Sequence, residues 1–285
     1  MTIQIILFYK FVSLNNLESL KKRHLNFCNN LSLKGKVLLA KEGINGSISG
    51  TKEQIELYIH ELRKDSRFSD IEFKIEEGII NPFDKMLVRV RKEIIRLGEE
   101  IDLTKVGKYI SPQEFLESYK DTNVVIIDAR NEYESKVGKF KGAIIPKIET
   151  FREFPEFVKN LNIPKDTKIL TYCTGGIRCE KASAYMVKEG FTNVSQLHGG
   201  IIKFCQTIPN TDVWEGQCFV FDNRLSSPIG QDKKQINNCI HCNTQSDLYR
   251  NCKIKVCNKL IFICNNCRKD FHACCSEDCM KKLLR

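Results

Sequence analysis

The sequence has no apolar run of the length that a membrane span requires, which is roughly 18 consecutive residues. Its first eleven residues are apolar, but they lack the basic segment and the small-residue cleavage site of a signal peptide. Internal repeats and low-complexity segments are also missing. These absences exclude the membrane-spanning and solenoid classes, and they make the cytoplasm the expected location.

The remaining composition is that of a globular protein, because 42% of the 285 residues are hydrophobic and 28% are charged. Net charge is uneven along the chain: it is +4 over residues 1–108, zero over 109–215 and +6 over 216–285. A neutral segment between basic ends predicts a catalytic module flanked by modules that can face a polyanion. The same charge also fits a role in solubility alone.

Residues 1–105 alternate between strand and helix patterns. The predicted order is strand 3–11, helix 14–28, strands 36–40 and 46–49, helix 51–63 and strand 71–75. This βαββαβ order predicts an α+β domain of the ferredoxin-like, split βαβ type. Residues 87–91 add a further alternating strand with one basic face.

Residues 106–215 change to a regular α/β alternation. Residues 124–128 and 168–172 are continuous apolar runs typical of strands buried on both faces, and 194–197 is a third strand. A helix is predicted from Cys179 to Glu189, ended by Gly190. The pattern predicts a mostly parallel, doubly wound sheet. Residues 216–285 are predicted to form a linker and a small cysteine-rich segment.

The loop that follows the strand 168–172 carries the clearest chemical signal. It runs Cys173-Thr174-Gly175-Gly176-Ile177-Arg178 and leads into the predicted helix. The two glycines let successive backbone N–H groups converge on an anion, the helix start adds a positive dipole end, and the arginine adds a cation. All three stabilise a thiolate, so Cys173 is predicted to be a nucleophile with a lowered pKa.

The length of this loop separates two chemistries. Four residues lie between Cys173 and Arg178, whereas cysteine phosphatases need five to surround a tetrahedral phosphate. The smaller ring suits a cysteine persulfide. Cys179, in the first helical turn, is either a resolving thiol for Cys173 or a small residue that packs the helix on the sheet.

Cys173, Gly176 and Arg178 match the active-site pattern Cys-x-x-Gly-x-Arg, and this part of the chain resembles the rhodanese family. Residues 128–130 (Asp-Ala-Arg), 141–146 and 197–201 resemble other landmarks of that family. Asp128 and Arg130 are interpreted as a buried, charge-paired support for the loop rather than as catalytic groups.

A closer resemblance extends over residues 41–222. The segments Lys41–Gly46, Val88–Ile94, Tyr172–Ser183 and Trp214–Asp222 resemble the bacterial rhodanese-like tRNA uridine(34) hydroxylases. That resemblance implies formation of 5-hydroxyuridine at the wobble position, with the tRNA anticodon loop as partner and molecular oxygen as co-substrate. The residues by themselves favour a sulfurtransferase, and a non-enzymatic RNA-binding scaffold is a further alternative. No cofactor motif for the oxidation appears.

Nine of the 14 cysteines lie in the last 47 residues. Because the cytosol keeps thiols reduced, disulfides are not the expected explanation. In chain order the cysteine pairs are 239/242, 252/257, 264/267 and 275/279, and the first and third of them have C-x2-C spacing. The four pairs fit two tetrahedral zinc sites, with the first pair (239/242) joining the third (264/267). The predicted ligands are Cys239, Cys242, Cys252, Cys257, Cys264, Cys267, Cys275 and Cys279. Cys274 is left over, and His241 or His272 could replace a thiolate.

If tRNA is the substrate, its phosphates are expected to contact basic faces on the end modules. On and after the extra strand, the candidates are Arg89, Arg91, Lys92 and Arg96. In the cysteine-rich segment they are Lys253, Lys255 and Lys259. Taken singly, each of these side chains fits a solvated surface charge better than an RNA contact.

Overall fold

The structure is a computed structural model that describes residues 2–208, 212–224, 226–227, 237–246 and 248–284. The chain divides into two compact units, Met1–Glu100 and Ile101–Arg285. Within the described ranges, no helix is both long enough and apolar enough to cross a bilayer.

The first unit is a five-stranded sheet with two helices. Its elements are β1 (Ile3–Phe11), α1 (Leu17–Asn30), β2 (Lys34–Ala40), β3 (Gly43–Thr51), α2 (Lys52–Lys64), β4 (Phe73–Gly78) and β5 (Met86–Val90). The sheet order β4-β1-β3-β2 is antiparallel throughout, which is the arrangement of a split βαβ domain. The predicted ferredoxin-like fold is confirmed.

One face of this sheet packs on the helices. Phe8, Val37 and Ile48 are fully buried there, together with Ile55 and Tyr58 of α2. Thr51 begins α2 with a capping box, because its side chain accepts from the Gln54 backbone while the Gln54 side chain accepts from the Thr51 N–H. The extra strand β5 pairs with β2 in parallel and closes one edge of the sheet.

The second unit contains a four-stranded, entirely parallel sheet. It is built from β6 (Lys108–Ile110), β7 (Val124–Asp128), β9 (Lys168–Tyr172) and β10 (Val194–Leu197), in the order β6-β10-β9-β7. The intervening elements are α3 (Pro112–Tyr119), α4 (Glu132–Ser135), β8 (Gly138–Phe140), α5 (Phe154–Lys159), α6 (Ile177–Lys188) and α7 (Gly200–Thr207). The predicted parallel α/β domain is confirmed, and its strands end at one common edge.

The cysteine-rich segment consists of short elements. They are β11 (Trp214–Gly216), β12 (Cys218–Phe219), β13 (Ser226–Ser227), β14 (Tyr249–Asn251), β15 (Leu260–Phe262), α8 (Asn265–Asp270) and α9 (Glu277–Leu283). Its small apolar clusters are built largely around cysteines, so apolar burial alone gives it little stability. β11 pairs with β8 of the parallel-sheet domain, and the predicted domain boundaries at 105 and 215 stay predictions.

Candidate active site and metal centres

Cys173 lies at the carboxyl edge of the parallel sheet, one residue after β9. Its side chain is fully buried, as are those of Thr171 and Tyr172 before it. Helix α6 begins at Ile177, two residues earlier than the sequence pattern predicts, and Gly176 precedes it with a φ of 100°. Glycine tolerates this backbone conformation at little cost, so Gly176 permits the sharp turn from strand to helix.

The loop directs hydrogen-bond donors at the Cys173 sulfur. The Gly176 N–H donates to Sγ across 3.2 Å, and the backbone N–H groups of Arg178 and Cys179 also act to lower the pKa of this sulfur. Burial acts to raise the pKa of Cys173. The hydrogen bond from the Cys179 thiol, the Arg178 charge and the two amides outweigh burial and lower this pKa to about 6. The thiolate is therefore the main form at neutral pH.

The start of α7 holds the loop from the other side. The Ile201 and Ile202 N–H groups donate to the Cys173 and Thr174 carbonyls, at 2.9 and 3.1 Å. A Cβ on Gly200 would lie 2.5 Å from the Cys173 carbonyl oxygen and 2.8 Å from the Gly176 nitrogen. Because real Cβ atoms do not approach so closely, a glycine as the first residue of α7 allows the loop and the helix to touch.

Arg178 is paired with Glu134, a residue that the sequence did not indicate. The guanidinium Nη1 and Nη2 atoms lie 2.5 and 2.7 Å from the two carboxylate oxygens, and both side chains are buried. Glu134 also accepts from the Asn131 N–H at 3.2 Å. The Asn131-x-x-Glu134 spacing of a capping box is the signal that could have drawn attention to it.

Asp128 and Arg130 form a second buried ion pair behind the loop. Arg130 Nη2 lies 2.6 Å from Asp128 Oδ2 and 2.7 Å from the Gly138 carbonyl oxygen, and both side chains have no exposed surface. The guanidinium carbon lies 5.5 Å from the centre of the Tyr172 ring. The pair thus packs against Tyr172, the residue that precedes Cys173.

Cys179 is fully buried beside Cys173. Its Sγ lies 4.0 Å from Thr171 Oγ1, and its thiol donates a hydrogen bond to Cys173. Burial, followed by that hydrogen bond and the charge on Cys173, raises the pKa of Cys179 well above its ordinary value. The two sulfurs therefore form a thiolate–thiol pair, with the charge on Cys173.

The eight cysteines predicted as metal ligands gather into two groups of four. Cys239, Cys242, Cys264 and Cys267 form one group, and Cys252, Cys257, Cys275 and Cys279 form the other; within each, the sulfurs lie within 4.8 Å of one another. The first pair therefore joins the third, and the second joins the fourth.

Sulfur–sulfur distances test whether such a group fits a tetrahedral ion. A zinc–sulfur bond of about 2.3 Å gives a tetrahedron with edges of about 3.8 Å. The pairs Cys242–Cys264, Cys257–Cys275 and Cys275–Cys279 are each 3.6 Å apart. Both groups therefore fit a tetrahedral thiolate-binding ion.

The remaining candidates for these sites lie outside both groups. His241 Nε2 lies 2.9 Å from the Cys274 carbonyl oxygen, and its ring stacks on Phe271 at 3.7 Å. Cys274 is buried next to the second group without joining it. His272 is likewise not a member of either group.

The predicted RNA-contacting residues are exposed. Arg89 lies on β5, and Arg91, Lys92 and Arg96 follow it. Burial, then the charges of Arg89 and Arg91, lower the pKa of Lys36 on the neighbouring strand β2. Cations of the two strands therefore share one face. Lys253, Lys255 and Lys259 are exposed in the cysteine-rich segment.

Comparison with protein families divides the chain into three parts. Residues 3–94 match the UPF0176 acylphosphatase like domain, residues 111–207 the rhodanese-like domain and residues 215–280 the rhodanase C-terminal family. A parallel sheet that ends in a cysteine-bearing anion loop and matches the rhodanese-like domain defines the central part as a rhodanese-like module.

Relatives match over nearly the whole length. Proteins called tRNA uridine(34) hydroxylase from Bacillus cytotoxicus and Bacillus cereus strain B4264 are each 44% identical over 97% of this chain, which covers 87% and 88% of their lengths. A rhodanese-like domain protein from Staphylococcus aureus is 21% identical, with a TM-score of 0.31 over 39% of this chain and 98% of its own. The chain belongs to the tRNA uridine(34) hydroxylase family.

Proposed function

We propose that this protein hydroxylates uridine 34 of tRNA, the wobble position of the anticodon, and that it does so in the cytoplasm. The observation that carries the proposal is the 44% identity to tRNA uridine(34) hydroxylases across 97% of the chain. The likeness therefore includes both end modules as well as the rhodanese-like module. The proposed product is 5-hydroxyuridine, and molecular oxygen is the proposed oxidant.

Cys173 is the proposed reactive group. A thiolate held by backbone amides at neutral pH is a nucleophile that needs no separate base. Arg178 and the loop residues Thr174, Gly175, Gly176 and Ile177 would hold negative charge on the sulfur or on an adduct. Asp128 and Arg130 would keep the strand end in place beneath it. The Cys173 sulfur is buried, so the target base must leave its stack to reach it, and for a wobble base this costs little free energy.

Cys179 offers a source of electrons for this reaction. Replacing C5–H by C5–OH with molecular oxygen uses one oxygen atom, and reducing the other to water takes two electrons and two protons. Oxidation of the Cys173 thiolate and the Cys179 thiol to a disulfide releases two electrons and one proton, and the second proton comes from solvent. The reaction then balances as uridine, oxygen, the thiolate–thiol pair and one proton giving 5-hydroxyuridine, water and disulfide. We propose Cys179 as the resolving thiol, with an external thiol restoring the pair.

Zinc is the proposed ion for both four-cysteine groups, where it would stabilise the fold. Each zinc with four thiolates carries a net charge of −2, so two such sites reduce the charge of residues 216–285 from +6 to +2. The basic face of the first unit then becomes the stronger candidate for phosphate contacts. We propose Arg89, Arg91, Lys92 and Arg96 as contacts to the anticodon arm.

Mass spectrometry of tRNA nucleosides from a deletion strain tests the function. Loss of 5-hydroxyuridine, restored by the wild-type gene and not by a Cys173→Ser variant, supports the proposal. Loss of a thiolated nucleoside would instead indicate a sulfurtransferase. An unchanged nucleoside profile would contradict both enzymatic functions and favour an RNA-binding scaffold.

A further inference from the structure

Phe221 is an exposed aromatic side chain beside the catalytic loop. It belongs to the segment Trp214–Asp222, and 62% of its surface is open to solvent. The Arg178 guanidinium carbon lies 5.6 Å from the centre of its ring. Large exposed aromatic rings are costly in water, and at the mouth of a site they commonly receive a ligand.

The ring is supported from below. The Phe219 ring packs against it edge to face at 4.9 Å, while Phe219 itself is buried between Tyr133, at 5.2 Å, and Tyr249, at 5.0 Å. Tyr133 is part of helix α4 and Tyr249 is part of strand β14. The support therefore comes from the rhodanese-like module on one side and the cysteine-rich segment on the other.

The turn after Phe221 is also held in place. Asp222 forms a two-point ion pair with Arg224, with contacts of 2.9 and 2.6 Å, and the Asp222 side chain is almost fully buried. Phe221 therefore stays exposed although both of its sequence neighbours, Val220 and Asp222, are anchored inside. An anchored backbone that presents one apolar ring to solvent suits recognition better than core packing.

We propose that Phe221 is a stacking surface for a pyrimidine base that approaches Cys173. This inference rests on the proposed function, and it names the part of the substrate that the site grips. An unstacked RNA base loses contacts with its neighbours and regains them on an aromatic face, which is how single-stranded RNA is commonly held. Arg178 behind the ring adds a cation that strengthens the platform.

Fluorescence of an anticodon stem-loop RNA carrying pyrrolocytidine at position 34 tests this inference with the full-length protein. Wild type and Phe221→Tyr are expected to quench the fluorophore and to bind within twofold of each other. Phe221→Leu keeps apolar bulk without the ring, and we expect it to lose the quenching and to bind about tenfold more weakly. Leu248→Ala is the matched control, because Leu248 is an apolar side chain of the cysteine-rich segment that is 49% exposed.

Two further measurements separate a stacking role from other roles. With an RNA that is abasic at position 34, the difference between wild type and Phe221→Leu is expected to vanish. The alkylation rate of Cys173 is expected to be equal in the two proteins. A changed rate would mean that Phe221 acts by shaping the loop through Arg178, and this result would overturn the proposal.

The same experiments distinguish failure of the stacking proposal from failure of the proposed hydroxylation. Equal affinity and quenching by wild type and Phe221→Leu refute the stacking surface, whatever the enzyme produces. Quenching that depends on Phe221 in a protein that forms no 5-hydroxyuridine refutes the proposed product and leaves the base-binding surface standing.

Discussion

Glu134 neutralises Arg178 through two short contacts, of 2.5 and 2.7 Å, inside the protein. The arginine of the catalytic loop is therefore not a free cation, and its plane is fixed by a carboxylate 44 residues earlier in the chain. A two-point pair of this kind is the geometry that guanidinium groups favour. The Glu134 carboxylate fixes the orientation of the Arg178 guanidinium beside the Cys173 sulfur and balances most of the guanidinium charge.

Removal of Glu134 is expected to destabilise the second unit. Glu134→Ala leaves a buried guanidinium without its partner, and breaking such a pair costs about 3–5 kcal/mol. Glu132→Ala in the same helix is the control, since Glu132 forms an exposed pair with Lys136 at 3.3 Å, worth under about 1 kcal/mol. Urea unfolding of both variants measures the difference. Equal losses would show that the buried pair contributes no more than a surface one.

The reactivity of Cys173 should follow a titration near pH 6. Cysteine loses its proton as pH rises, so with a pKa of about 6 alkylation by neutral iodoacetamide should increase through pH 6 and level off above it. The double variant Arg178→Met/Glu134→Gln removes both charges. Burial, which raises the pKa of Cys173, is then no longer offset by the Arg178 charge. Its midpoint is expected to rise by about 1 unit or more.

Peptide-level mass spectrometry across a pH series reads this titration for each cysteine. Cys205 is an internal control, because burial raises its pKa to about 12. Its alkylation rate should therefore still be rising at pH 9. A wild-type midpoint for Cys173 at or above the Cys205 value would contradict a thiolate-stabilising loop.

Most strands of the two sheets were predictable because they are long or continuously apolar, whereas the three-residue β6 was not predicted. Residues 3–11 are a β-rich apolar run in an antiparallel sheet, and residues 124–128 are continuously apolar in a parallel one. The start of α6 was predicted two residues too late. Gly176 precedes the helix and has no side chain, so the sequence shows no capping residue at the true start. Strands of three residues, such as β6 and β14, are too short to show any period.

The chemistry of the site was predictable only where it is local in sequence. The interval from Cys173 to Arg178 and the C-x2-C pairs bring their residues together through a single turn. Glu134 reaches Arg178 because β7 and β9 are neighbours in the sheet, and a sequence pattern does not show this distance. Phe221 is likewise held near the loop through Phe219, which packs against Tyr133 and Tyr249 from distant parts of the chain.

If Cys179 supplies electrons, its loss should block repeated turnover without disarming Cys173. We expect Cys179→Ala to lower hydroxylation of tRNA at least about 100-fold, whereas Cys173 is still alkylated by iodoacetamide, with a higher pKa because it loses the hydrogen bond from Cys179. Wild-type enzyme quenched after reaction in oxygen, with no external thiol, should contain a Cys173–Cys179 disulfide that depends on tRNA. Full activity in Cys179→Ala would leave Cys179 as a packing residue.

Neutralising the basic face of the first unit should weaken tRNA binding in a salt-dependent way. Each phosphate contact contributes about 0.7–0.9 to the slope of log affinity against log salt. The double variant Arg89→Ala/Arg91→Ala should therefore reduce that slope by roughly 1.5. Lys52→Ala, at an exposed position on α2, is the control and should change it little. A slope equal to that of wild type in the double variant would exclude both arginines as phosphate contacts.

Metal content should be two ions per chain, and each four-cysteine group should account for one. Cys264→Ser removes a thiolate from the first group and Cys257→Ser removes one from the second, so each variant is expected to retain a single zinc. Serine is a weak replacement for a thiolate, and structural zinc sites depend on all four ligands. Cys274→Ser is the control, because this buried cysteine belongs to neither group. Native mass spectrometry distinguishes two, one and no ions directly, and loss of an ion from Cys274→Ser alone would show that the second group uses a different set of ligands.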